Sequence, residues 1–145
     1  MLIKYYIFKL ILIFLFFCSS SVAKETKYFD EGLLLFKNRD YDKSKIFFEK
    51  NIVFNPKHEK SYLYLAKIFK RKNNDTEEEV NLNNVLLINP KNDEALYMLI
   101  ELKIKQSDYN QTKELMEKFI LVCDSFCKKK EELLKKFSKI TPENE

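Results

Sequence analysis

Glycine occurs once in 145 residues, proline three times and tryptophan not at all. That is poor punctuation for a β-sandwich and suits helices joined by short turns. There is a single histidine, His58, set among charged residues, so a histidine-based metal site or a His-activated nucleophile has no partner near it in sequence. His58 reads as a surface-turn residue. No glycine-rich phosphate loop and no Ser-His-Asp arrangement can be assembled. These absences lead us to expect no enzyme, no cofactor and no metal site.

Apolar residues make up 46% of the chain and charged residues 33%, which suits one small soluble helical domain. The formal net charge is +4, and Lys4 and Lys9 in the N-terminal segment supply two of those charges. The remainder is too small to argue for a nucleic-acid partner.

The first residues run from basic to apolar to small: lysines at 4 and 9, an unbroken apolar run Leu10–Cys18, then Ser19, Ser20, Ser21, Val22 and Ala23. This is the order of an export signal over 1–23. The run after Lys9 is shorter than the roughly 20 apolar residues a bilayer span requires. Three fates are open: cleavage after Ala23, lipidation at Cys18, or an uncleaved anchor with Lys4 and Lys9 on the cytoplasmic side. "LFFC" is similar to a lipobox in Leu15 and Cys18 and departs from it at Phe17. Each fate puts the rest of the chain outside the cytoplasm, in the periplasm or tethered to the membrane.

Asn55-Pro56-Lys57 and Asn89-Pro90-Lys91 repeat the same tripeptide, with the prolines 34 residues apart. At that offset Tyr28 falls over Tyr62 and Tyr62 over Leu96, while Gly32 falls over Ala66, Leu65 over Leu99 and Phe48 over Leu82. Three units result, 24–58 (with a short tether), 59–92 and 93–125. In the second, Tyr62, Leu65, Ala66 and Phe69 share one helix face. Each proline ends a helix, because the residue before proline is disfavoured in that conformation. Gly32 marks either a close helix crossing or an accidental mid-helix glycine. Helix starts are read at Asn92 before Asp93-Glu94, and at the capping boxes Thr76 with Glu79 and Asp108 with Gln111. Phe126, Leu133, Leu134, Phe137 and Ile140 line one side of a last helix, 126–140, opposite its lysines; 141–145 reads as a disordered tail. That helix caps the stack, or alternatively lies on a membrane surface.

Tyr28, Gly32, Tyr41, Phe48 and Pro56, then Tyr62, Leu65, Ala66, Phe69, Leu82 and Pro90, then Leu96, Leu99, Tyr109, Met116 and Phe119 follow the pattern of a known family. The chain resembles the tetratricopeptide-repeat proteins, whose 34-residue unit is a pair of antiparallel helices. The resemblance implies an all-α solenoid of three units with a C-terminal capping helix. It departs from the pattern where small residues are expected, at Ser44, Glu78 and Thr112 and at Asn51, Val85 and Phe119, and Asp124 stands where a third proline would.

The resemblance also implies a concave groove lined by the first helix of each unit. It assigns Phe29, Leu33, Phe36 and Lys37 to the first, Leu63, Lys67, Lys70 and Arg71 to the second, and Tyr97, Glu101, Ile104 and Lys105 to the third. Such a groove would be apolar at its N-terminal end and basic in the middle, although a plain lysine face is the alternative. One family subtype clamps chaperone-tail carboxylates with Lys and Asn; here those places hold Phe29, Leu33, Tyr64, Glu94 and Met98, so that activity is not expected. Glu77-Glu78-Glu79 reads as an acidic helix start favoured by the dipole. Cys123 and Cys127 form a small disulfide in an oxidising compartment, stay free thiols, or do metal or redox work.

The function expected is therefore an exported scaffold that holds an envelope protein or peptide segment. The layout of signal and repeats is also similar to the assembly lipoprotein of outer-membrane β-barrel machinery. A third reading is a membrane-surface protein using Lys128, Lys129 and Lys130. No feature decides an oligomeric state.

Overall fold

A computed structural model describes residues 20–140, with side chains from Lys27 onward. The leader over 1–23, including Cys18, lies outside the described residues except for 20–23, and the tail 141–145 lies outside them altogether. Among the described residues all regular structure is helical: α1 Ser20–Lys37, α2 Tyr41–Phe54, α3 Glu59–Arg71, α4 Asp75–Ile88, α5 Asp93–Lys105, α6 Tyr109–Val122, a 3₁₀ turn Cys127–Lys129, and α7 Lys130–Phe137. No helix among them is long and apolar enough to cross a membrane. The chain divides into two compact units, Met1–Pro56 and Lys57–Glu145.

In the first unit α1 pairs with α2. Gly32 explains the closeness of the crossing: a Cβ there would lie 2.9 Å from two ring carbons of the fully buried Phe48. Ser44 Oγ donates to the Gly32 carbonyl at 2.8 Å, locking the helices at the same point. Tyr28 stacks on Phe54, with ring centroids 5.5 Å apart.

The second unit holds two hairpins, α3/α4 and α5/α6, and the terminal turn and helix. Its core joins Ala66, Leu82, Val85, Leu96, Leu99 and Phe119 with Leu133 of α7. Tyr62 packs against this core half-buried. Leu134 departs from the expected apolar side: Leu133 is fully buried, whereas Leu134 is 37% exposed. Leu134 lies about 100° round the helix from Leu133 and so falls at the edge of the buried stripe. The helix also begins later than expected, at Lys130, because a 3₁₀ turn precedes it. Phe137 stacks on Tyr109, centroids 5.2 Å apart, and Phe126 packs on Tyr97 at 5.4 Å.

The turn within each repeat has one design. Arg39, Asn73 and Ser107, spaced by 34, all have positive φ, at 63°, 53° and 57°. The next residue donates back to a carbonyl five residues earlier: Asp40 to Leu35, Asn74 to Phe69, Asp108 to Lys103, each at 3.0 Å. This is a Schellman stop. Those same residues then cap the following helix, their side chains accepting from Lys43, Glu77 and Gln111 N–H groups. The cap of α4 is thus Asn74, not Thr76, because the left-handed Asn73 turns the chain two residues earlier. His58 is also more than a surface residue: its Nδ1 accepts from Ser61 N–H and caps α3.

The corners after Pro56 and Pro90 close the units. In the second unit, Glu59 accepts from the side-chain amides of Asn89 and Asn92. One repeat later, Asp93 Oδ2 accepts from the backbone N–H of Asp124 and of Phe126, both at 2.9 Å. Cys123 and Cys127 are joined at this last corner, their Cα atoms 5.1 Å apart.

Candidate functional site

The residues expected to line a groove divide between the two units. In the first, Phe29 is half-buried with its ring 5.7 Å from Phe48, and Phe36 packs edge-on against Tyr41 at 5.4 Å. Leu33 is half-buried and Lys37 exposed. Much of the apolar surface expected here is therefore spent on packing within the hairpin.

In the second unit α3 and α5 lie on the same side of their hairpins and bring their polar side chains together. Leu63 does not join them. It is 7% exposed and belongs to the core, because α3 buries residues around most of its circumference. Nor is the middle of the groove a bare cationic patch. Lys67 pairs with Glu94 at 2.8 Å, Lys70 with Glu101 at 2.7 Å and Lys105 with Asp75 at 2.7 Å. Arg71 is exposed.

Glu101 is the centre of this network. Besides Lys70 it accepts from Lys136 of α7 at 2.6 Å, and Lys136 in turn holds Glu132 at 2.8 Å. Burial pushes the Glu101 carboxyl up, but the hydrogen bonds from Lys136 and Lys70 outweigh it and hold it below its ordinary range. Tyr97, half-buried, is pushed up to about 12 by burial and by its hydrogen bond to Glu101. Ile104 sits half-buried beside Lys105.

A cavity of about 330 Å³ opens between these helices, lined by Lys70, Asn73, Glu78, Glu101, Leu102 and Lys105. Glu77 and Glu78 do stand in the first turn of α4, as the dipole reading expects, but Glu78 is more than an acidic helix start. It is 3% exposed, and burial raises its carboxyl to about 7. Glu79 is also engaged, accepting from the buried Lys103 at 2.6 Å. Sequence reasoning missed both. The signals were a carboxylate where the repeat wants a small residue and a lysine where it wants an aromatic. It also missed that Val53, Leu87 and Leu121, at 34-residue spacing in the sequence, are exposed by 75%, 82% and 84%. No group of three or more His, Cys, Asp or Glu side chains among the described residues is placed to hold a metal.

Helix pairs of this length, turned by a Schellman stop and repeated every 34 residues, find close matches among solved structures. The chain has the tetratricopeptide-repeat fold. It is similar to the first TPR of Spaghetti (RPAP3), solved bound to the HSP90 peptide SRMEEVD, at a TM-score of 0.71 and 16% identity, over 81% of this chain and 96% of that one. It is similar to the Arabidopsis OM64 TPR domain at 0.73 and 16%, over 83% and 98%. The Sgt2 TPR domain from Aspergillus fumigatus matches at 0.68 and 17%, over 84% and 87%. No family model and no curated protein matches the chain.

Proposed function

We propose that this tetratricopeptide-repeat chain is a non-enzymatic scaffold, exported by its leader, that holds an extended segment of another envelope protein in the groove of its second unit. The observation that carries this is the ordered polar row on α3 and α5. Lys67, Lys70, Glu101 and Lys105 are each held by a partner 2.6–2.8 Å away, and all but Lys67 line an open cavity. Side chains already fixed by ion pairs lose little freedom on binding, which favours recognition. A peptide occupies the similar Spaghetti repeat domain, and that likeness supports a peptide-type ligand here. Export rests on the lysines at 4 and 9 followed by the apolar run Leu10–Cys18.

The test is photo-crosslinking in intact cells. A photoreactive residue at Arg71 or Ile104 is expected to capture an envelope protein, and the same group at Leu87 or Leu121 is not. Capture only from the outward positions would overturn the groove assignment. Mass spectrometry of the N-terminal peptide reads the leader: a start at Lys24 or an acylated Cys18 supports export, and an unprocessed chain recovered from the cytoplasm refutes it.

A further inference from the structure

The cavity has a floor that a generic peptide groove does not need. Corresponding repeat positions hold Ser44, Glu78 and Thr112, all buried. The two hydroxyls are satisfied within their own hairpins, Ser44 by the Gly32 carbonyl and Thr112 by the Asp108 carbonyl at 2.6 Å. Glu78 is longer and lines the cavity, and its Oε1 has no hydrogen-bond partner among the described residues. A buried carboxyl oxygen without a partner is destabilising unless something fills the site.

The rest of the lining is rich in donors. Lys70 and Lys105 each bond one carboxylate within 2.7 Å, and an ammonium has three N–H donors, so each has capacity left. Asn73 adds an amide, and a neutral Glu78 adds an O–H. Glu101 also lines the cavity, but its charge is met by both Lys70 and Lys136, so a cationic guest would face two ammoniums at the rim while an anionic guest finds their remaining donors.

We propose that this cavity takes the carboxylate of an Asp or Glu side chain on the bound segment, paired by Lys70 and Lys105 at the rim and hydrogen-bonded by Glu78 at the floor. This rests on the groove reading above and names the chemistry the groove selects. Ionised Glu78 repels the guest, so capture weakens as Glu78 loses its proton. The charged groups facing it are Lys70 from α3, Asp75 on its own helix, and Glu101 and Lys105 from α5; Lys136 from α7 reaches Glu101. Burial is the largest influence and keeps the neutral form populated up to about pH 7, with Lys70 opposing it and Asp75 adding to it.

The experiment uses immobilised full-length protein and two pools of short peptides with blocked termini and uncharged random flanks. One pool carries a fixed central Glu, the other a fixed central Gln. At about pH 6 the wild type is expected to retain the Glu pool about fivefold or more over the Gln pool, and the preference fades by about pH 8. Glu78→Gln keeps a donor but has no proton to lose, so its preference persists at both pH values. Lys70→Gln with Lys105→Gln removes the preference. Equal retention of the pools by the wild type overturns the proposal while leaving the groove intact, and so does a pH dependence that survives Glu78→Gln. Retention of neither pool overturns the groove reading and this proposal with it. The wild-type comparison needs no variant to fold.

Discussion

The Lys103 ammonium lies 2.6 Å from Glu79 Oε1 with only 5% of the lysine side chain exposed. Enclosing an ammonium is costly unless a carboxylate meets it, and here the carboxylate comes from the neighbouring helix. Removing one partner strands the other. Glu79→Ala is expected to destabilise the fold by about 2–4 kcal/mol, and Lys103→Met, of similar volume, to lose less, because the Glu79 side chain it leaves behind is 29% exposed to water. Urea denaturation of both variants checks this; equal losses would contradict it.

Gly32 and Phe48 make the second prediction. An alanine at 32 gains about 1 kcal/mol of helix propensity but places its Cβ 2.9 Å from the Phe48 ring. Overpacking of this kind costs about 1–3 kcal/mol. Gly32→Ala is therefore expected to lose about 1 kcal/mol net, and Phe48→Leu in the same chain to recover part of that loss. The melting temperatures of the two variants decide it.

Three left-handed residues carry unequal strain. Arg39 and Ser107 adopt positive φ against their side chains, while Asn tolerates that region. Arg39→Gly and Ser107→Gly are each expected to stabilise by about 0.5–1 kcal/mol, and Asn73→Gly to change stability little. A loss on Ser107→Gly, measured by chemical denaturation, would disprove the strain.

Stability should depend on pH with a definite sign. Glu78 is raised from 4.5 to about 7, so the folded state holds its proton where the unfolded state has released it. Its contribution is full below about 4.5 and is lost as pH rises to about 7, by up to about 3 kcal/mol. Glu101 and Glu132 act in reverse. Their carboxyls are held below the ordinary range, Glu132 at about 2 by Lys136 and Lys129, so their stabilisation is lost on acidification below about 4.5. A maximum near pH 5 is expected, and Glu78→Gln should flatten the alkaline side. Thermal melts across this range read both limbs.

How much was legible depended on whether a signal was local. The repeated Asn-Pro-Lys and the 34-residue spacing gave the helix ends at Phe54 and Ile88, because proline acts on the residue before it. Asn92 and Asp108 were readable as caps for the same reason. Asn74 was not, since its role follows from Asn73 turning left-handed, a conformation that asparagine favours but does not announce as glycine does. Leu63 was assigned to the groove by repeat position alone, and burial overruled it.

The sequence by itself determined the period, the helical class and the residues whose effect reaches only their neighbours: Pro56, Pro90, Asn92 and Asp108. The tertiary structure alone decided the electrostatics. Lys70 and Glu101 are 31 residues apart in the chain, and Lys136 and Glu101 are 35 apart, yet each pair shares a hydrogen bond. A charge interacts through space at a strength set by distance and burial. Until α3, α5 and α7 are packed, nothing distinguishes Glu101 or the buried Glu78 from the many carboxylates that remain in solvent.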